Sequence, residues 1–232
     1  MKLIPDIIIA IDGYSSSGKS TLAFDLAKIL NYNHYNSGSI YRAIAYYFYK
    51  QTNNVINIDE NIILTNLQNI KIEFKKNNQG KNLIYLNNKN IEEEIKKPEI
   101  ALITSILSKN VIIRNFVLKI QRELGKNKRI TMDGRDIGTV VFPNAEFKLF
   151  VIADIEVRAY RRWLELKQNG IEIDYKRVLK ELENRDLEDK TREIAPLKKA
   201  NDAIVLDNTN MTREQQLLWT INELKKRFQY ED

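Results

Sequence analysis

Residues 6–21 read DIIIAIDGYSSSGKST, and this stretch decides the fold. Asp6 to Asp12 is a run of β-branched and small apolar residues, as expected of a strand buried on both faces in a parallel sheet. Gly13 ends it. From Lys19 onward Leu22, Leu26 and Leu30 recur at four-residue spacing with Ala23 and Ala27 beside them, which predicts a helix whose apolar stripe lies on the sheet. Between the two, Gly13-Tyr14-Ser15-Ser16-Ser17-Gly18-Lys19-Ser20 fits G-x-x-x-x-G-K-[ST] at every fixed position. Gly13 and Gly18 admit backbone angles that other residues resist, so successive N–H groups can point at phosphate oxygens beside a helix N-terminus. Lys19 adds a full positive charge for the β- and γ-phosphates, and the Ser20 hydroxyl can coordinate Mg²⁺. The stretch therefore implies a nucleoside triphosphate site.

Composition narrows the chemistry around it. The 232 residues carry a net charge of +6 and are 43% hydrophobic, enough to bury a sizeable core. With 29% charged residues and no apolar run near the roughly 20 residues a bilayer crossing needs, a transmembrane chain is excluded. The apolar start at Leu3–Ile4 is broken by Pro5 and Asp6 and leads into the glycine-lysine loop, so no secretory leader is expected and the cytoplasm is the default. The absence of cysteine removes disulfides, thiolate nucleophiles and cysteine-ligated metals. A single histidine, His34, leaves little for imidazole-based catalysis, and it reads as structural or surface. Chemistry that rests on positioning and charge is favoured, and phosphoryl transfer is of that kind.

Outward from the loop, strands alternate with helices. Tyr32–Asn36, Arg129–Met132, Phe147–Ala153 and Ala203–Leu206 read as further strands. Helical spacing covers Ser39–Gln51, Ile100–Ser108, Val111–Leu124, Ile155–Asn169, Tyr175–Asp189 and Thr212–Phe228, with Asn53–Asn54 ending the first, Pro98 opening the second, Gly125 capping the third and Thr212-x-x-Gln215 starting the last. From about Val55 to Lys97 the character changes: Ile70, Ile72 and Phe74 alternate with charged residues, and after the turn Asn77–Gly80 a second strand-like run covers Leu83–Leu86. This is a small antiparallel insert in an otherwise parallel α/β chain.

Two other triphosphate users fit poorly. Motor and transporter ATPases call for a longer chain and an acidic pair ending a strand, where this chain has Asp133-Gly134-Arg135-Asp136. A GTPase calls for Asn-Lys-x-Asp, and Asn88-Lys89-Asn90-Ile91 lacks the aspartate. A small-molecule kinase remains. The other motifs are Asp12 through Thr21, Asn36-Ser37-Gly38-Ser39-Ile40-Tyr41-Arg42, Asp133-Gly134-Arg135-Asp136-Ile137-Gly138-Thr139-Val140-Val141-Phe142-Pro143, Arg185-Asp186 with Asp189 and Arg192, and Ala195-Pro196-Leu197 before Asp202-Ala203. In this order and spacing, over essentially the whole chain, they resemble the bacterial cytidylate kinases, a branch of the nucleoside monophosphate kinases.

The resemblance implies an adenylate-kinase-like P-loop kinase: a central parallel five-stranded sheet flanked by helices, an antiparallel insert in the monophosphate-binding lobe, and a helical lid. Its parts would be a core (about 1–36, 126–157 and 193–232), the monophosphate lobe (about 37–125) and the lid (about 158–192). It implies transfer of the γ-phosphoryl group of ATP to CMP or dCMP. Gly13, Tyr14, Ser15, Ser16, Ser17, Gly18, Lys19, Ser20 and Thr21 would hold ATP, with Mg²⁺ on Ser20 and Asp133 orienting water around it. Ser37, Arg42 and Arg135 would hold the acceptor phosphate, Asp136, Arg114 and Ser105 would read cytosine, and Arg185 with Asp189 would meet the sugar. In isolation Ser105 reads equally as a mid-helix serine, whereas for Arg42 the Ser-Gly-x-Ile-Tyr-Arg context outweighs its reading as a solvated helix arginine. Lys19, Arg135, Arg158, Arg162 and Arg192 would neutralise charge on the transferred group.

Arg158, Arg161 and Arg162 share one helical side, as do Arg185, Asp189 and Arg192, around the turn Asn169-Gly170. They make a plausible lid, and Arg161 reads as surface decoration on it. Two departures from the family stand out: Asn36 where an acidic residue is usual, and Tyr14 with three serines where proline and small residues are common. The expected partners are ATP and CMP or dCMP, with no nucleic acid and no membrane, and a monomer is the family expectation. Kinases of another monophosphate or of a small metabolite, and a nucleic-acid-binding NTPase suggested only by the positive charge, stay as alternatives.

Overall fold

The elements follow from the sequence in chain order. The structure, a computed structural model, describes residues 2–51 and 59–231, with Leu3 described for its backbone alone. A short strand β1 (Lys2–Ile4) precedes β2 (Ile8–Gly13), helix α1 (Lys19–Leu30), β3 (Asn33–Asn36) and α2 (Ser37–Gln51). There follow α3 (Glu60–Leu67), β4 (Ile72–Lys76), β5 (Asn82–Leu86), β6 (Lys89–Asn90), α4 (Pro98–Leu107) and α5 (Val111–Leu124). The chain ends with β7 (Ile130–Gly134), β8 (Phe147–Ile152), α6 (Ile155–Gln168), α7 (Tyr175–Thr191), β9 (Ile204–Asp207), α8 (Arg213–Lys225) and β10 (Gln229–Glu231). The helix end expected at Asn53–Asn54 and the start of the insert at Val55 lie outside the described residues.

The chain divides into two compact units, Met1–Asn33 with Lys128–Asp232, and His34–Asn127. The first carries a five-stranded parallel sheet of order β3-β7-β2-β8-β9, with β3 entering it at Asn33, whose N–H reaches the Arg129 carbonyl at 2.9 Å. The central strand β2 is apolar on both faces because sheet neighbours and helices cover it: Ile9 and Ile11 on one face and Ala10 on the other are fully buried. The Leu22, Leu26 and Leu30 stripe of α1 packs into the same cluster with Phe147, Leu149, Val151 and Leu224. Each fully buried aliphatic side chain of this kind stabilises by about 1.5–3 kcal/mol. Asn31 ends α1 in the left-handed conformation, its N–H returned to Ala27 and Lys28 carbonyls.

The register sets the functional edge. Asp12 lies opposite Gly134 of β7, and Gly13 opposite Val151 of β8, so the polar residues that follow these strands emerge at one carboxyl end of the sheet. The helical hairpin α6–α7 has its own small core of Ala159, Val178 and Leu182, flanked by Trp163. The predicted Thr212–Gln215 capping box is present, with Gln215 N–H on Thr212 Oγ1 at 3.2 Å and Thr212 N–H on Gln215 Oε1 at 2.9 Å.

The second unit is built on α2, α4 and α5, whose Ile40, Ile44, Phe48, Ile100, Ile113 and Val117 bury one core with Ile84 of β5. The expected insert is a three-stranded antiparallel sheet of order β4-β5-β6, in which Ile72 faces Leu86 and Phe74 faces Ile84. The sequence reading has no counterpart for α3, β6, the short helical turn over Glu94–Lys96, the β1–β10 ribbon or the π-helical turn over Ile137–Val141.

Candidate active site

The phosphate loop owes its shape to specific side chains. A Cβ on Gly13 (φ +152°) would stand 2.2 Å from the Val151 carbonyl oxygen, so only glycine lets β2 pass into the loop beside β8. Ser16 (φ 56°) and Gly18 (φ 82°) both take the left-handed conformation, and Gly18 caps α1. Three loop carbonyls accept from side chains: Tyr14 from Lys19 Nζ at 2.7 Å, Ser15 from Arg158 Nη1 at 3.2 Å, and Ser17 from Asn208 Nδ2 at 2.7 Å. The Ser17 hydroxyl is buried without a hydrogen-bond partner. An orphaned donor in a loop at a helix N-terminus fits an anionic oxygen as its missing partner. The loop thus suits a triphosphate.

Lys19 and Ser20 open α1 beside the end of β7. The Ser20 hydroxyl donates to Asp133 Oδ2 at 2.5 Å, with Asp133 itself buried. A hydroxyl and a carboxylate side by side are hard oxygen donors of the sort Mg²⁺ takes together with substrate phosphates, so the residues fit that ion. Burial, and after it the positive charge of Arg135, push the Lys19 ammonium well below the ordinary lysine range, an effect Asp133 opposes. A substrate anion at this point restores the charge that burial disfavours.

The turn after β7 carries the charged cluster. Arg135 Nε donates to Asp189 Oδ2 at 2.6 Å, and Arg192 lies 3.9 Å from both Asp189 and Asp136 while its Nε donates to the Ala195 carbonyl at 2.7 Å. Burial raises the Asp189 pKa, but the charge and hydrogen bond of Arg135, with Arg185 and Arg192, outweigh it and leave the carboxyl below its ordinary range. Behind this turn Asp12 accepts from the Ile137 N–H at 2.8 Å and the Gly138 N–H at 2.7 Å, which fixes the segment immediately after Arg135-Asp136. Asp12 is 4% exposed, and burial pushes its carboxyl up to about 7 despite the two backbone donors.

The helical hairpin uses its arginines unequally. The Arg158 guanidinium is held by Ala153 O at 2.9 Å, Ser15 O at 3.2 Å and the Asp186 carboxylate at 2.7 Å, which brings it to the phosphate loop. Arg161 is no surface decoration, since it clasps Asn208 through Oδ1 at 3.1 Å and the carbonyl at 2.9 Å. Arg162 pairs with Glu165 at 2.8 Å and is half-exposed, and Arg185 is exposed on α7, one turn before Asp189. Thr21 is exposed at the first turn of α1.

The second unit orders its own candidates. The Ser37 hydroxyl accepts from Gln121 Nε2 at 2.8 Å, both groups buried, at the start of α2. Asn36 caps that helix by taking the Ser39 N–H at 2.9 Å, a task for its carbonyl oxygen that needs no charge. Arg114 is buried, donates to the Ser108 carbonyl at 3.1 Å and lies 5.7 Å from the Tyr41 ring. Arg42 on α2 and Ser105 on α4 are half-buried. His34 lies in β3 with its carbonyl accepting from Asn82 Nδ2 at 3.1 Å.

Sequence reasoning missed Asp12, Asn208 and Gln121 as organisers. Asp12 reads as the end of an apolar strand and Asn208 as one of several polar residues in a turn. Gln121, in mid-helix, carries no local signal at all.

A loop of this shape at the carboxyl end of a parallel sheet of this order defines a P-loop kinase fold. In fold the chain is similar to the crystal structure of an uncharacterized protein from Eubacterium ventriosum, with a TM-score of 0.51 and 13% identity, covering 95% of this chain and 99% of that one. The sequence comparisons go further. The family model described as cytidylate kinase matches residues 9–226. A cytidylate kinase of Parabacteroides distasonis is 45% identical over 226 residues, 95% of this chain and 97% of the relative, and one of Flavobacterium psychrophilum is 46% identical over 214 residues, 90% and 94%. The chain belongs to the cytidylate kinase family.

Proposed function

We propose that this protein transfers the γ-phosphoryl group of ATP to CMP or dCMP, giving ADP and CDP or dCDP. An oxygen of the acceptor phosphate forms the new bond to the γ-phosphorus as the bond to the β,γ-bridging oxygen breaks. The observation that carries the reading is the family match along nearly the whole chain, joined to a phosphate loop in which Lys19 and the Ser20–Asp133 pair stand together.

In this reading the loop from Gly13 to Thr21 holds ATP, and Lys19 offers its charge to the β- and γ-phosphates. Ser20, with Asp133 behind it, would hold Mg²⁺, which would supply neutralisation of the phosphate charge. Ser37, Arg42 and Arg135 take the acceptor phosphate, since a dianion held in line needs several converging donors. Asp136, Arg114 and Ser105 read cytosine: the carboxylate accepts from the exocyclic amino group, which uracil replaces with a repelling oxygen. Arg185 and Asp189 meet the sugar. The hairpin α6–α7 is the lid, and Arg162 and Arg192 stabilise the transferring group from it, while Arg158 holds the loop to the lid. The acceptor is already an anion, so positioning supplies most of the catalysis and no general base is required.

The setting this implies is the cytoplasm, with free nucleotides as partners and a monomer as the working form. Among the described residues no single helix is long and apolar enough to cross a membrane. Incubation with γ-labelled ATP and unlabelled CMP tests the reaction. Label in CDP supports it, and label released only as inorganic phosphate overturns it.

A further inference from the structure

Tyr14 of the phosphate loop has an unusual set of neighbours. The Arg158 guanidinium lies 5.0 Å from the centre of its ring and the Lys190 ammonium 4.9 Å from it. Phe150 of β8 meets the same ring edge-on at 6.0 Å with an interplanar angle of 77°. The two cations come from the two helices of the hairpin, Arg158 from α6 and Lys190 from α7.

Both distances are within the roughly 6 Å at which the negative face of an aromatic ring attracts a cation. Arg158 is buried, so its attraction is weakly screened, and its ion pair with Asp186 at 2.7 Å ties α6 to α7 at the same place. Tyr14 adds a second tie through its backbone, because its carbonyl accepts from Lys19 Nζ at 2.7 Å. One residue thus touches the lysine of the phosphate loop through its main chain and both lid helices through its ring. A proline or a small residue at this position would offer no such face.

We propose that the Tyr14 ring is a positioning residue: a cation platform that docks the α6–α7 hairpin on the phosphate loop and holds Lys190 and Arg158 beside the triphosphate site. The hydroxyl has no part in this, and the ring's electrons do. Its consequence for turnover rests on the phosphoryl-transfer reading, whereas the docking itself does not.

The test compares wild type, Tyr14→Phe, Tyr14→Leu and a protein carrying pentafluorophenylalanine at position 14, whose ring has similar size but a reversed quadrupole. Amide hydrogen exchange over residues 155–191 is followed in nucleotide-free protein, and kcat and KM are measured with ATP and CMP. The expected result is exchange about tenfold faster in the Leu and pentafluoro variants, with kcat down about five- to tenfold and acceptor-independent ATP hydrolysis raised, while exchange in the Phe variant stays within about twofold of wild type. A pentafluoro variant that behaves as Phe overturns the proposal, and so does a Phe variant that loses as much as Leu. Where the Leu variant does not fold, Lys190→Gln removes one exposed cation instead: faster exchange in the wild-type background, with no further change in the pentafluoro background, supports the platform, and equal changes in both overturn it. If wild type fails to phosphorylate CMP, the exchange measurements still decide the docking by themselves.

Discussion

Arg135 Nε meets Asp189 Oδ2 at 2.6 Å, joining the turn after strand β7 to helix α7 of the hairpin. Both side chains are largely buried, so the pair is a charge-assisted bond and not a solvated surface contact. Asp189→Asn keeps the shape and removes the charge. Its expected effect on kcat/KM for CMP is a loss of about 10- to 100-fold, the range of one charge-assisted hydrogen bond. The Asp189 carboxyl is depressed in the folded protein, so its contribution to stability is present above the unfolded value of 3.8 and fades as pH falls below it. Urea midpoints of wild type and variant should differ at pH 7 and draw together as pH falls below the unfolded value of 3.8. A gap that persists undiminished at pH 3 contradicts the assignment.

Asp12 predicts the opposite pH dependence. Its carboxyl is raised from 3.8 to about 7 by burial, so between these values the folded protein holds a proton that the unfolded chain has released. Its contribution therefore declines as pH rises from about 4 to about 7, then levels off. In Asp12→Asn that slope is missing. The stability difference between wild type and variant should shrink as pH rises through this window, and a pH-independent difference counts against it.

Gly13 is irreplaceable for a steric reason. Gly13→Ala drives a methyl to 2.2 Å from the Val151 carbonyl, a backbone atom that cannot turn away. The expected cost is about 2–4 kcal/mol or more, typical of severe backbone strain, with loss of ATP binding. Denaturant unfolding measures it, and a variant within 0.5 kcal/mol of wild type, the range of a neutral surface change, refutes the contact.

Much of this was legible beforehand. The DIIIAIDGYSSSGKST stretch carries its own strand, turn and helix signals, and the antiparallel insert shows in the alternation around Ile72 and Phe74. What was not legible depends on contacts distant in sequence. The β1–β10 ribbon pairs Leu3 with Tyr230, two segments of three residues each that have no periodicity to detect. The π-helical turn over Ile137–Val141 follows from the grip of Asp12 on two N–H groups, which no local pattern announces. Arg158 and Arg161 look alike on a helical wheel, and only the loops they reach, Ser15 for one and Asn208 for the other, separate them. Asn36 caps α2 through its side-chain oxygen, a role the sequence reading did not assign it.

Asn208 supports the loop from the side. It is 2% exposed, donates to Ser17 O and Gln216 Oε1 at 2.7 and 2.8 Å, and receives Arg161. Asn208→Ala leaves these partners unsatisfied beside the phosphate loop. KM for ATP is expected to rise about tenfold, a cost of one buried hydrogen-bond partner, with KM for CMP within about twofold. Steady-state kinetics with each substrate varied separately would expose an effect on CMP instead.

The central claim is tested most directly by ADP formation from Mg²⁺–ATP with CMP, dCMP, UMP, AMP and no acceptor, beside a Lys19→Ala control. The predicted result is rapid turnover with CMP and dCMP, kcat/KM for UMP lower by at least about 100-fold, and activity abolished in the control. Equal efficiency with CMP and UMP, or ADP formation that needs no acceptor, would contradict it.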